Sequence, residues 1–173
     1  MGRTYEEMQL INQLRQAEIP YDDSRDGVVI VRFSGDNIDD INCYISVNKL
    51  ESGLVSATVN FFDFFSFSSN LNGYVACNKA NEDSLVAKFY IDNEGDAVGE
   101  FTGLYRNGFD TEHFVSLLEN FALDMDDAYP FFEEALYNSF VFRFIYGTGG
   151  VNQYSAVFYV FCGTAQHTVL YFR

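Results

Sequence analysis

The chain has 173 residues, of which 48% are hydrophobic, with 19 Phe and 12 Tyr, and its formal net charge is −15 at pH 7. This length and composition predict one folded domain with a packed core and exclude a disordered chain. The negative charge opposes binding to nucleic-acid phosphates and to anionic membrane surfaces, so neither is expected as a partner.

The first part of the chain predicts one helix followed by a three-stranded meander. Thr4 and Glu7 have the spacing of a capping box, and an apolar stripe follows them at helical spacing. Strands are predicted at 28–33, 41–47 and 54–62, because apolar and β-branched residues cluster there between turn-forming residues. The predicted stripe of the helix consists of Tyr5, Met8, Ile11, Leu14 and Ala17.

A run of five phenylalanines in seven positions follows the meander. Strict alternation along a strand would place some of these rings on the outer face of the sheet. The run either lines a corner between the sheet and the next helix, or forms an exposed apolar groove for a partner or for self-association. The candidate partner-binding residues here are Phe61, Phe62, Phe64, Phe65 and Phe67.

The centre of the chain predicts a helix, a hairpin and a long amphipathic helix in succession. Residues 92–96 predict the hairpin turn between strands at 86–92 and 97–105. Asp110 is the predicted N-cap of the long helix, and Pro130 is expected to kink or interrupt that helix. The expected buried residues are Leu71, Tyr74, Val75 and Ala80 in the first helix, and Phe114, Leu117, Leu118, Phe121, Ala122 and Met125 in the second.

Two sets of polar residues in this region are further candidates for a partner-binding surface. Asp124, Asp126 and Asp127, continued by two glutamates, predict a solvated acidic helix face or, alternatively, a docking surface for a basic peptide. Asn78 and Asn81 share one side of a helix, where their amides can bond the backbone at the junction with the next strand. We therefore interpret this pair mainly as structural.

A family resemblance rests on four consecutive features. These are Asn78-Lys-Ala-Asn81, the strand Ala87-Lys-Phe-Tyr-Ile-Asp92, the turn Glu94-Gly-Asp96 and the acidic amphipathic helix after them. Together they resemble the bacterial YbjN family, described as regulators of sensory transduction. The resemblance implies an α+β fold in which helices pack on an antiparallel sheet in the order α-βββ-α-ββ-α, as in type III secretion chaperones. It also implies a protein partner and a homodimer.

Composition changes abruptly near the end of the long helix. All 25 acidic residues lie in the first 134 positions, and the remainder carries only the charges of Arg143 and Arg173. We therefore predict a YbjN-like domain at 1–137 and an apolar, β-rich extension at 138–173, packed on the domain or at an interface. The strand-like runs of this extension are 140–146, 154–162 and 168–172.

The sequence offers little catalytic chemistry. His113 and His167 lack metal-ligand spacing and have no nucleophile motif beside them, so no catalytic residue, cofactor or metal is expected. The three cysteines have no CxxC spacing, and no run reaches the ~18 apolar residues of a spanning helix. These features favour a non-enzymatic, cytoplasmic protein. The resemblance implies a protein-binding module, chaperone-like or regulatory, whose partner offers a basic or apolar segment. The alternative is a ligand-sensing regulator with a small molecule in an aromatic-lined pocket.

Overall fold

The computed structural model describes residues 3–67, 70–106, 110–143, 157–160 and 168–171. Within these ranges the elements follow the order α1, four strands, α2, two strands, α3, two strands, which confirms the predicted α+β class. The sequence did not predict the first strand, which has only two residues, Tyr21–Asp22. The bounds are α1 Tyr5–Gln16, β1 Tyr21–Asp22, β2 Val29–Phe33, β3 Ile41–Lys49, β4 Val55–Ser66, α2 Asn70–Asp83, β5 Lys88–Ile91, β6 Asp96–Tyr105, α3 Thr111–Arg143, β7 Val157–Val160 and β8 Thr168–Tyr171.

Strands β1 to β6 form one antiparallel sheet in the order β1-β2-β3-β4-β6-β5. The hairpin β5–β6 therefore joins the meander through β6, and β5 forms an edge. One row of paired residues crosses the sheet through Tyr44, Asn60, Glu100 and Lys88. Because side chains alternate along strands, this row and the rows two residues away belong to one face.

The other, inner face of the sheet packs against all three helices in a single apolar core. Helices α1 and α3 bury apolar stripes there, and α2 buries its small residues. The residues in the row through Tyr44 and Asn60, and in the rows two residues away from it, form the outer face. The largest fully buried side chains are Phe114, Phe121, Phe132, Leu10, Ile11, Leu14, Ile41, Ile45, Leu118, Met125, Val31 and Val59.

Helix α1 begins with the predicted capping box. The Thr4 hydroxyl accepts the Glu7 N–H at 3.2 Å, and the Glu7 carboxylate accepts the Thr4 N–H at 2.9 Å. The predicted stripe is right for Ile11 and Leu14, which are buried, but wrong for the exposed residues Tyr5, Met8 and Ala17. Leu10 is buried instead, so the first turn of this helix supplies the cap and the later turns supply the core.

The predicted buried face of α2 is wrong except at Ala80. Leu71, Tyr74 and Val75 are exposed, and small residues face the core in their place. The reason is close packing: a Cβ at Gly73 would lie 2.8 Å from Cδ1 of Ile91, which leaves no room for a large side chain. The inward residues are Gly73, Ala76, Cys77 and Ala80.

Helix α3 runs without interruption through Pro130. Its predicted N-cap is confirmed, because the Asp110 carboxylate accepts the His113 N–H at 2.9 Å. Proline has no N–H for the carbonyl four residues earlier, and that carbonyl, of Asp126, accepts the side-chain amide of Asn37 at 3.1 Å. A side chain from the β2–β3 loop thus replaces the missing helical bond. The predicted stripe is buried, with Leu117 only partly so.

The strand predicted at 140–146 is wrong for residues up to 143, which belong to α3; the rest of that run lies outside the described residues. The other two predicted runs contain β7 and β8, which pair antiparallel. Helix α3 continues across position 137. The division of the chain into a domain at 1–137 and an extension at 138–173 stays a prediction. Among the described residues, no helix combines the length and apolar character needed to cross a membrane.

Candidate functional site

The outer face of the sheet carries a groove of about 560 Å³, here called the outer-sheet groove. Its floor is aromatic: the rings of Tyr44 on β3 and Phe62 on β4 lie 5.6 Å apart between centroids. Val98 on β6 is buried beside them, whereas Phe62 remains 44% exposed. Ser46 and Asn60 add polar groups from the same two strands. The groove therefore combines apolar contact area with hydrogen-bonding groups.

The β5–β6 turn forms an acidic rim at this groove, made of Asp92, Glu94 and Asp96. Asp92 accepts the N–H groups of Glu94 and Asp96 with one carboxylate oxygen, at 2.8 and 3.0 Å. Gly95 has a positive φ of 93°, the backbone conformation that the hairpin turn requires. The predicted turn is thus confirmed, and it brings three carboxylates to the rim of the groove.

Two residues from the loop between β1 and β2, Arg25 and Val28, complete the described lining of the groove. Arg25 supplies its positive charge. Its guanidinium lies 5.8 Å from the centroid of the Tyr44 ring, within the range of a cation–π contact. The aromatic floor therefore already accepts a guanidinium from the protein itself. With three carboxylates against this one cation, the described lining has a negative balance.

The five candidate phenylalanines divide between two environments. Phe61, Phe64 and Phe67 are buried and Phe65 is partly buried, whereas Phe62 lies in the groove. A bulge contributes to this division, because the five residues Phe61–Phe65 of β4 stand opposite only three residues of β6, Ala97–Gly99, so that Phe64 as well as Phe65 turns inward. The corner interpretation is thus right that the rings other than Phe62 pack inward. Phe67 lies beside Gly73 of the next helix, α2, but the ring contacts are made with α3. Rings at the corner contact α3, with centroids 4.9 Å apart for Phe64–Phe132 and 5.0 Å for Phe65–Tyr129.

Asn81 has the structural role predicted for the asparagine pair. Its amide donates to the carbonyl of Phe89 and its carbonyl accepts the N–H of the same residue, both at 2.9 Å. This side chain therefore pairs with the edge strand β5 as a neighbouring strand would. Asn78, one turn earlier, is exposed, and neither asparagine lies at the outer-sheet groove.

The prediction of a solvated acidic face on α3 is wrong for Asp124 and Asp126, which are buried, and right for the exposed Asp127. Asp124 accepts the backbone N–H groups of Leu85, Val86 and Ala87 at 3.1, 2.7 and 2.8 Å. Asp126 likewise accepts the N–H groups of Asp36, Asn37 and Ile38 at 3.0, 2.8 and 2.9 Å. Both buried carboxylates thus bind backbone donors.

These two aspartates hold two different loops against α3, one before β5 and one between β2 and β3. Their burial removes them from any surface open to a partner, and the described structure brings neither near the groove. Of the ten candidate residues, only Phe62 lies in the groove lining.

Sequence reasoning missed the groove because its residues converge from three strands and two loops. Tyr44 gave one usable signal, because it is the large ring in the alternating run Asn42, Tyr44, Ser46, Asn48, which marks the solvent face of a strand. The pairing of β4 with β6 brings the acidic turn beside that ring. No local pattern predicts that pairing.

Reactive groups elsewhere in the described residues are inert or scattered. Burial raises the pKa of the Cys43 thiol to about 12 and that of the Cys77 thiol to about 11, so both stay protonated at neutral pH. His113 is exposed, and His167 lies outside the described residues. In the ranges that the structure describes, no three His, Cys, Asp or Glu side chains are placed to hold a metal ion.

Comparison with known proteins identifies a family. No curated protein sequence matches the chain. Among solved structures, the chain is similar to YbjN from E. coli, described as "a putative transcription regulator", with 13% identity, a TM-score of 0.47, and coverage of 70% of this chain and 89% of that one. It is also similar to a chain of the heterodimeric ExoU-SpcU complex from the type III secretion system of Pseudomonas aeruginosa, with 17% identity, a TM-score of 0.44, and coverage of 71% and 97%. The sequence model of the YbjN family, "Putative bacterial sensory transduction regulator", matches residues 8–134. This match spans most of the chain, and the protein therefore belongs to the YbjN family.

Proposed function

We propose that this protein is a non-enzymatic regulatory module of the bacterial cytoplasm that binds a segment of a partner protein in the outer-sheet groove. The observation that carries this proposal is the groove itself: an aromatic floor and an acidic rim on the sheet face opposite the helices. An exposed Phe62 beside Tyr44 supplies the apolar contact that partner segments commonly use.

The charge of the groove indicates the partner. Three carboxylates at the rim favour Lys or Arg side chains, and the chain's net charge of −15 speeds encounter with a basic segment. The same charge repels nucleic acid and anionic lipid. The expected partner is therefore a protein with a basic and apolar segment. The module is proposed to act as a homodimer, with 1–137 as the binding domain and 138–173 as an extension.

A second candidate function is a small-molecule sensor. The groove volume of about 560 Å³ falls within the range of known ligand sites. The larger aromatic cluster at Phe64 and Phe132 is packed ring against ring, so it supports the sensor less than the groove does. The protein-binding module would bind a protein and the sensor would bind a small molecule, so the mass of the bound species distinguishes the two functions.

The test places a photo-crosslinking amino acid, benzoylphenylalanine, at Phe62 of the full chain in its native host. The matched control places it at Leu104, which is exposed on the same sheet face but is not in the described groove lining. Discrete protein adducts from position 62 and not from 104 are expected. Equal adducts from both positions would refute the groove as the site. A small-molecule adduct at 62 would favour the sensor.

A further inference from the structure

The two rings on the floor of the outer-sheet groove can bind a cation. Tyr44 and Phe62 lie 5.6 Å apart between centroids, with their planes tilted by 53° instead of stacked face to face. Phe62 keeps 44% of its surface exposed. The face of an aromatic ring carries partial negative charge and attracts positively charged groups. The floor is therefore suited to a cation as well as to an apolar side chain.

Arg25 already uses this floor. Its guanidinium lies 5.8 Å from the centroid of the Tyr44 ring, close to the limit of about 6 Å for a cation–π contact. The backbone of the loop is held on both sides of Arg25. The Ser24 N–H donates to the Asp22 carboxylate at 2.9 Å, and the Val28 N–H donates to the Arg25 carbonyl at 3.4 Å. The Arg25 side chain itself is exposed, so its contact with the ring is weak enough to be exchanged.

The acidic rim has no cation partner in the part of the chain that the structure describes. The ion pairs of the described residues use other carboxylates, and none of them includes Arg25 or a rim residue. Asp92 accepts backbone N–H groups of its own turn, and Glu94 is exposed. The groove therefore offers both a ring surface and carboxylates, and Arg25 occupies only the ring surface.

Arginine fits this combination better than lysine does. A guanidinium is planar, so its face can stack on an aromatic ring while its N–H groups donate in the plane to carboxylates. A lysine ammonium is a compact charge that is more strongly hydrated, so it gains less from an aromatic floor. Both side chains are attracted by the rim, but only arginine uses the rim and the floor together.

We propose that the outer-sheet groove recognises an arginine side chain of the partner segment in preference to lysine, and that Arg25 is an internal competitor for the same floor. The partner's arginine replaces Arg25 on Tyr44, stacks beside Phe62 and donates to the rim carboxylates. Arg25 makes no ion pair with that rim, so the incoming arginine gains contacts that Arg25 lacks. This inference rests on the proposed function, because it names the side chain by which the partner segment is bound.

The test is an NMR titration of the full chain with two probes of equal charge, N-acetyl-arginine amide and N-acetyl-lysine amide. The signals of Phe62 and Val98 report on the groove, and Leu104, exposed on the same sheet face outside the described lining, serves as the control for location. A single side chain binds weakly, so a dissociation constant on the order of 1–10 mM is expected for the arginine probe. The lysine probe should bind at least about threefold more weakly.

Arg25→Gln tests the internal competitor. Removal of this guanidinium should tighten binding of the arginine probe about two- to fivefold, the range that an exposed cation–π contact covers. The matched control is Arg32→Gln, which removes the same charge from an exposed side chain of the same sheet face outside the described lining. It should change the constant by less than about 1.5-fold at about 0.15 M salt, because screening weakens distant charges.

Two further variants separate the floor from the rim. Phe62→Leu keeps an apolar side chain but removes the ring, so it should abolish most of the preference for arginine over lysine. Glu94→Gln should weaken both probes about twofold and keep the preference, since it removes a charge that attracts either cation. Glu51→Gln, the same change at an exposed position in the β3–β4 turn, should leave both probes unaffected.

Equal binding of the two probes to the wild type, or equal effects of Arg25→Gln and Arg32→Gln, would overturn the inference. So would the lack of a saturable shift at Phe62 with the arginine probe at up to about 50 mM. The crosslinking experiment at Phe62 keeps these failures apart from failure of the proposed function. Protein adducts without a preference for arginine would retain the partner-binding function and reject the arginine site, whereas a preference for arginine without protein adducts would do the reverse.

Discussion

Replacing Asp126 with alanine tests whether α3 is held to the sheet by a buried carboxylate. Asp126 lies 90 residues from Asp36 in sequence, and its two oxygens accept three consecutive backbone N–H groups of the β2–β3 loop. Asn37 adds its side-chain amide, which bonds the Asp126 carbonyl left unpaired by Pro130. Without the carboxylate, three donors lose their acceptor at once.

The size of the effect follows from these bonds. Hydrogen bonds to a charged group contribute about 1.5–3 kcal/mol each, but water can replace part of the loss because Asp36 and Asn37 are exposed. We therefore expect Asp126→Ala to lower the free energy of unfolding by about 3 kcal/mol. For a chain of this length that corresponds to a melting temperature lower by about 6–12 °C.

Thermal and urea unfolding followed by circular dichroism would measure the change. Asp127→Ala is the matched control, since Asp127 is the exposed neighbour on the same helix and should have little effect. A Cβ at Gly35 would overlap the Asp126 carboxylate, so Gly35→Ala should cost much less in the Asp126→Ala background than in the wild type. Equal melting temperatures for Asp126→Ala and Asp127→Ala would refute the reasoning.

Three other predictions concern stability. Asn81→Ala should lower the free energy of unfolding by about 1–3 kcal/mol, because it leaves both backbone groups of Phe89 without their partner, whereas Asn78→Ala should stay within about 0.5 kcal/mol in the same urea titration. Thr4→Ala should cost about 1 kcal/mol through loss of the cap, a cost that Thr4→Ser should avoid. Burial raises the pKa values of the Cys43 and Cys77 thiols above the ordinary value of 9. As the pH rises above 9, these thiols therefore lose their protons in the unfolded chain before they do so in the folded protein. Unfolding free energy should therefore fall from that pH upward, and less steeply in a Cys43→Ala, Cys77→Ala variant; equal slopes in urea titrations at several pH values would contradict this.

Local signals in the sequence predicted the parts of the fold that depend on neighbours in the chain. The capping box at Thr4, the N-cap at Asp110 and the turn at Asp92 each involve partners within four residues, so spacing alone identifies them. Strands β2 to β6 were predicted close to their observed positions for the same reason, since alternation is visible within five or six positions, whereas the strand predicted at 140–146 belongs to α3 up to residue 143. The family motif placed these elements in one sheet.

Long-range packing decided the parts that the sequence did not predict. Leu71, Tyr74 and Val75 form a convincing stripe, but whether a stripe faces inward depends on the space left by Ile91 and Phe67. Asp124 and Asp126 have the pattern of a solvated helix face, yet their partners lie about 40 and 90 positions away. The bulge in β4, which turns Phe64 inward together with Phe65, has no local signature either.

The acidic side chains have a structural role that becomes visible once these partners are known. With 25 carboxylates and only ten Lys and Arg side chains, most carboxylates cannot pair with a cation. Several accept backbone N–H groups instead, at a helix start in Asp110, in a turn in Asp92, and at two loops in Asp124 and Asp126. Negative charge therefore helps to build this fold as well as to repel wrong partners. For that reason net charge alone does not identify a docking surface. The argument for the groove rests on three rim carboxylates that meet an aromatic floor.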